Sequence, residues 1–480
     1  MVDQPAWLAG QTRSAKPPYL RITRSKQGVF MTASQSNGGE KDPNRRASRG
    51  GGKPGPSGST FVPRFPGDRP GLDDISVRLP TPFQTGDFAA VAPAEPEPGV
   101  AEPLARPKIP AIVQVASSSR DLRLDALRGW CALAMVIDHF GGASWLYVLT
   151  GGNTFFASAA EGFIFLSGLL VGQIYGARIS RDGLASVQLR LLRRAATLYG
   201  MTIGLTFLFI GLSRFASMPW LQDETPVTPK LIVSLVTLHH TYYLVDVMLL
   251  YTILMLLAPG ALLLLHTKNT MWVVGLTVGL WGVYQVFPVQ AQFPWAIVNN
   301  DTFQVPAWQL WFFIGMILGY HRDVVRQRVR RFPLPVVTGI LALLALASVW
   351  LYATDGAFLA EVLQAPSGNE VLTVLFDKHV ARVGRVVAFG IWFPLFYLIL
   401  TLAGRPILRV LGWLLVPFGQ NALYVYALHL FAVYLGALAL PYVAGFDRFN
   451  PLHNTPMQIL AVALIWMAVR LRLFFDVVPR

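Results

Sequence analysis

From about residue 119 onward the chain alternates between long apolar runs and short polar segments. A helix needs ~20 mostly apolar residues to cross a bilayer. Ten runs meet that length: 126–147, 158–177, 194–213, 242–265, 271–289, 304–321, 334–353, 384–403, 417–440 and 456–475. The pattern predicts an all-α polytopic membrane protein with about ten transmembrane helices. The first 118 residues contain no such run. They are rich in Pro, Gly, Ser and Arg ("NRRASRGGGKPGPSGS", "PAEPEPGVAEPLARP"), a composition that buries too little apolar surface to offset the entropy of ordering. The expected organisation is a disordered cytoplasmic tail over 1–118 and a ten-helix membrane domain over 119–480. No signal-peptide pattern opens the chain, so the first membrane helix is expected to direct insertion.

Composition agrees: 53% of the residues are hydrophobic and 14% charged, against about 25% charged in soluble domains. The net charge of +14 raises nucleic-acid binding as a possibility, but its placement argues for topology instead. Arg178, Arg181, Arg190 and Arg193, then Lys268, then Arg322 to Arg331, then Arg405 and Arg409 follow even-numbered runs. The segments after the first and fifth runs carry no Lys or Arg. The positive-inside rule puts the basic side, and with it both termini, in the cytoplasm. The single cysteine, Cys131, rules out an intrachain disulfide and a cysteine-based metal site; no metal is expected.

Several runs carry polar residues that are expensive in a bilayer, roughly 2.5–3.5 kcal/mol for a charge at a helix centre. Arg128 and His139 lie eleven residues apart in the first run, about three helical turns and roughly 16 Å of rise, hence on one face. Asp138 faces about 100° away. Glu161 opens the second run, followed by Ser167 and Gly168; Asp246 stands in the fourth, Gln309 in the sixth, and Asn421 and His429 in the ninth. Together they describe a polar interior in a helix bundle. The plainer readings are a snorkelling anchor for Arg128 and interhelical hydrogen bonds for the rest. Arg190, Arg193 and Arg194, leading into the third run, read either as positive-inside charge or as a cradle for an anionic cytoplasmic ligand such as coenzyme A.

"RDLRLDALRGWCALAMVIDHFGG" and "AAEGFIFLSGLLVGQIYG", with "YYLVDVMLLYTILMLLAP", "PAWQLWFFIGMILG", "DKHVARVGRVVAF" and "FGQNALYVYALHL" in that order, resemble the OpgC (MdoC) family. That family is similar in turn to the type-three transmembrane acyltransferases, whose first span carries Arg, ten residues, then His. Here the pattern falls on Arg128 and His139, with "EGFIFLSGL" and its Glu161 at the acidic block of the second span.

The resemblance implies O-acyl transfer, with succinyl as the group, from cytoplasmic acyl-CoA to a hydroxyl of a periplasmic glucan at a bacterial inner membrane. Acyl-CoA enters as co-substrate, and no tightly bound cofactor is expected. On this reading Arg128 and Arg190, Arg193 and Arg194 meet the donor. His139 is general base or acyl carrier, oriented by Asp138, Glu161 or Asp246. Asp246, Lys378, His379, Arg385 and His429 are candidates to meet the acceptor or the acyl carboxylate. A secondary transporter or exporter and a non-catalytic scaffold of polysaccharide assembly are the alternatives.

Overall fold

The computed structural model describes residues 121–213, 227–242 and 244–475. The tail expected over 1–118 lies outside the described residues. Eleven helices of sixteen residues or more are described: α1 (Leu122–Phe140), α2 (Ala159–Asp182), α3 (Leu184–Ser213), α4 (Asp246–His266), α5 (Thr270–Val286), α6 (Val305–Tyr320), α7 (Leu334–Ala353), α8 (Val383–Leu402), α9 (Gly404–Gln420), α10 (Ala422–Ala439) and α11 (Pro451–Leu471). Among the described residues there is no strand, only an isolated bridge between His240 and Val298. The helices α2, α3, α4, α7, α8, α11 and α10 with its continuation to Tyr442 are long and apolar enough to cross a membrane, and α5 and α6 are shorter apolar helices. Over the described residues the chain is all-helical, and its apolar helices make it a multi-pass membrane protein.

Glycines set the closest packing. A Cβ on Gly168 or Gly172 of α2 would stand 1.9 and 2.0 Å from the carbonyl oxygens of Phe312 and Met316. One on Gly315 or Gly319 of α6 would stand 2.3 and 2.0 Å from those of Phe165 and Leu169. Residue numbers rise together on both sides, so α2 and α6 run parallel, each presenting a small-x-x-x-small stripe that lets the backbones meet. Helix α1 meets α9 in the same way but antiparallel: Gly129 lies against the Leu415 carbonyl and Gly419 against that of Asp125.

Three boundaries differ from the sequence pattern. Helix α1 stops at Phe140, because Gly141 and Gly142 adopt φ of +73° and +79°, a region open to glycine but strained for other residues. His139 therefore stands in the last helical turn rather than towards the middle of a span. Helix α3 begins at Leu184, so Arg190, Arg193 and Arg194 are part of the helix and not a lead-in. The ninth run is broken at Asn421, whose φ/ψ of −119°/34° ends α9 before α10 starts. Asn421 Nδ2 donates to the Pro417 carbonyl at 2.9 Å. Asn421 and His429, eight residues apart in one apolar run, are therefore not part of one continuous helix.

Candidate active site

The end of α1 is held by α11. Asn454, buried, donates from Nδ2 to the carbonyls of Gly141 at 2.7 Å and Ala143 at 3.0 Å. Gln458, four residues on and equally buried, donates to those of Ile137 and Gly141, each at 3.3 Å. These amides satisfy carbonyls that a helix end leaves open. In the sequence they are a polar pair spaced i, i+4 across the start of the tenth apolar run, a spacing that puts both on one helix face.

In that last turn His139 meets His429 of α10. The Nδ1 of His139 lies 2.9 Å from the Nε2 of His429, with ring centroids 5.1 Å apart. The other ring nitrogen of His429, Nδ1, bonds to the carbonyl oxygen of Tyr426 on its own helix. His429 has no exposed surface, while His139 is half-buried. The structure thus brings together two histidines that lie 290 residues apart.

Among the described residues none of the three carboxylates expected to orient His139 bonds to it, and each is held by other partners. Asp138 accepts from Thr150 Oγ1 at 2.5 Å. Asp246, the first residue of α4, accepts from the Val247 N–H at 2.8 Å, the usual place for an acid at a helix start. Glu161 closes a capping box with Ser158: its Oε2 accepts from the Ser158 N–H at 2.9 Å and from the Ser158 hydroxyl. Its Oε1 accepts from Nε and Nη2 of Arg385 at 2.7 and 2.5 Å. The motif Ser158-x-x-Glu161 was readable as a helix start; that an arginine 224 residues away would complete it was not.

Lys378, in the segment before α8, donates to Asn153 Oδ1 at 2.5 Å. Its ammonium acts electrostatically on Asp138, His139, Glu161 and Asp246. Burial, joined by the like charge of Arg385, holds its pKa below the ordinary 10.5, against the pull of Glu161, Asp138 and Asp246. Lys378 therefore looks onto the same polar region as the two histidines. His379 is exposed and bonds through Nδ1 to the Asp301 carbonyl at 3.1 Å. Gln309 is spent on the carbonyls of Thr277 and Pro306.

The opposite end of α1 is marked by Asp121 and Arg123. Arg123 pairs with Asp121 at 2.7 Å and reaches Thr401 near the end of α8 at 2.9 Å. Arg128 is half-buried, three turns from His139. A cavity of about 270 Å³ is lined by Tyr175, Arg193, Arg194, Thr197, Leu198 and Leu423. Two arginines, a phenol and a hydroxyl make this cavity suited to an anion. Arg190 lies outside the lining and pairs with Asp182 at 2.5 Å. No group of three or more His, Cys, Asp or Glu that would hold a metal occurs among the described residues.

A family model described as OpgC protein matches residues 120–475, which takes in all eleven helices. The comparison with curated proteins gave no match.

Proposed function

Because this chain belongs to the OpgC family, whose membership points to a membrane acyltransferase-like role in glucan modification, we propose that it moves an acyl group, succinyl on the family reading, from cytoplasmic acyl-CoA to a hydroxyl of a periplasmic glucan or related envelope polysaccharide. The observation that carries this reading is the arrangement along α1. An imidazole held by a second imidazole stands at one end of it and Arg128 three turns away, while Arg193 and Arg194 line a cavity between neighbouring helices. The positive-inside distribution supports a cytoplasmic position for the arginine end, where acyl-CoA is made, and an outward-facing histidine end.

In this scheme Arg193 and Arg194 hold donor phosphates, and the thioester is drawn towards α1 past Arg128. His139 removes the proton of the glucan hydroxyl as the oxygen attacks the thioester carbonyl. The C–S bond breaks, and the departing thiolate takes that proton back, leaving an ester and free coenzyme A. An imidazole is suited to both transfers near neutral pH. Lys378, facing the same region, is placed to meet the acceptor or the acyl carboxylate.

The test is incorporation of labelled acyl groups from acyl-CoA into glucan by purified protein in liposomes. His139→Asn is expected to lower the rate by about 10²–10⁴-fold with the protein folded and present at the wild-type level. Unchanged incorporation would remove His139 from the chemistry. Transport of glucan without any label transfer would replace the enzyme reading with a transporter.

A further inference from the structure

We infer that His429 is a positioning residue that sets the tautomer of His139, so that Nε2 of His139 is the atom that takes the acceptor's proton; this rests on the acyltransferase reading for its catalytic consequence, though not for the tautomer itself. The argument is a count of protons along two hydrogen bonds. A backbone carbonyl oxygen only accepts, so the nitrogen that meets the Tyr426 carbonyl, Nδ1 of His429, must carry hydrogen. His429 is fully buried, its ring lies edge-on to the Tyr426 ring at 4.7 Å, and no carboxylate touches it among the described residues. A neutral imidazole holds one N–H, which leaves Nε2 of His429 as a bare acceptor. The partner at 2.9 Å is Nδ1 of His139; it must be the donor. A neutral His139 then has no proton on Nε2, whose lone pair is available to a hydroxyl.

Each alternative is worse. If Nδ1 of His139 were bare, two lone pairs would face each other, or His429 would be a buried cation beside another imidazole. When His139 takes the acceptor's proton on Nε2, it becomes an imidazolium whose Nδ1–H already points at a lone pair, and no group has to turn. When Nε2 returns the proton to the thiolate, the starting pattern is restored. Here a carbonyl and a second imidazole perform the orienting task that a carboxylate performs in a triad.

The test has a spectroscopic arm and a kinetic arm. Nitrogen-15 NMR of histidine-labelled protein in liposomes distinguishes protonated from bare ring nitrogens, and the His139 signals are identified by their loss in His139→Asn. The expected wild-type spectrum has His139 protonated on Nδ1 and bare on Nε2; a proton on Nε2 would overturn the inference whether or not acyl transfer is found. In the kinetic arm, His429→Leu removes the acceptor and His429→Gln restores one through its amide oxygen. The leucine variant is expected to lose about 10–100-fold in kcat with the KM of both substrates unchanged, and the glutamine variant to recover most of it. Equal losses in both variants accompanied by a lowered thermal midpoint would show a packing role only, and wild-type kcat in the leucine variant would show no role. If neither the wild type nor any variant transfers acyl groups while the NMR pattern holds, the proposed function fails and the tautomer assignment stands.

Discussion

Arg385 and Glu161 form a two-pronged ion pair inside the bundle, with Nε and Nη2 of the arginine both on Oε1 and side-chain exposures of only 4% and 1%. The same arginine reaches the carbonyls of Phe155 and Phe376 at 3.4 Å. It therefore ties the start of α2 to the segments before α2 and α8. Removing one partner of such a pair leaves the other charge buried, at a cost of about 3–5 kcal/mol. Arg385→Met and Glu161→Leu are each expected to lower the thermal midpoint strongly. The double variant is expected to recover part of the loss, because it leaves no lone charge. Two single variants with wild-type midpoints would show that the pair does not support the fold.

The parallel α2–α6 contact has no room for a side chain. Gly168→Val places its Cβ where the Phe312 carbonyl lies 1.9 Å away. The backbones must separate, so the expected outcome is loss of monodisperse protein on size-exclusion chromatography. Gly204→Ala, on α3 with nothing within 4 Å of the added carbon, is the matched control and is expected to behave as wild type.

Lys378 gives the protein a stability that depends on alkaline pH. Its folded pKa lies below the ordinary 10.5, chiefly through burial. The penalty on the buried charge is present in full below that folded value and disappears as pH rises towards 10.5. Wild-type stability is therefore expected to rise, relative to Lys378→Met, between pH 7 and pH 10. Thermal midpoints of both proteins across that range check the sign; a wild type that falls relative to the variant would contradict it.

The arginines of α3 are not equivalent. Arg193 and Arg194 line the cavity, whereas Arg190 pairs with Asp182 at a partly exposed site. Replacing Arg193 and Arg194 together with Gln is expected to raise the KM for acyl-CoA about tenfold or more, in keeping with the loss of charge-assisted bonds to phosphate. Arg190→Gln is expected to leave it within about twofold, since an exposed pair contributes little. Equal effects at all three positions would point to a diffuse surface charge rather than a bound phosphate.

Much of this was legible in the chain. Apolar run length located the seven described helices long and apolar enough to cross a membrane and the shorter α5 and α6; the first of the ten runs, which α1 ends early at Phe140, is not among them. The small-residue stripes of α2 and α6, and the shared face of Arg128 and His139, follow from helical spacing alone. What the pattern missed depends on contacts distant in sequence or on single backbone angles. Helix α9 carries Arg405, Arg409 and two prolines, so a search for long uncharged runs passed over its first half and merged its end with α10. His429 looked like any polar residue in a span until α10 was placed against α1. Glu161 read as a candidate to orient His139; its partner, Arg385, is on another helix and could not be paired with it from the sequence. Asn454 and Gln458 matter only because Gly141 ends α1 beside them.

The contact between α1 and α9 makes α1 a fixed strut. With Gly129 against one carbonyl and Gly419 against another, that half of α1 cannot slide or rotate without atomic overlap. Asn454 and Gln458 grip the far end. The helix thus works as a gauge whose length and phase are set by residue count alone. One alanine inserted between Gly129 and His139 would turn the imidazole by about 100° and push it roughly 1.5 Å along the axis, away from His429. Seven inserted residues would nearly restore the angle while moving the ring roughly 10 Å along the axis.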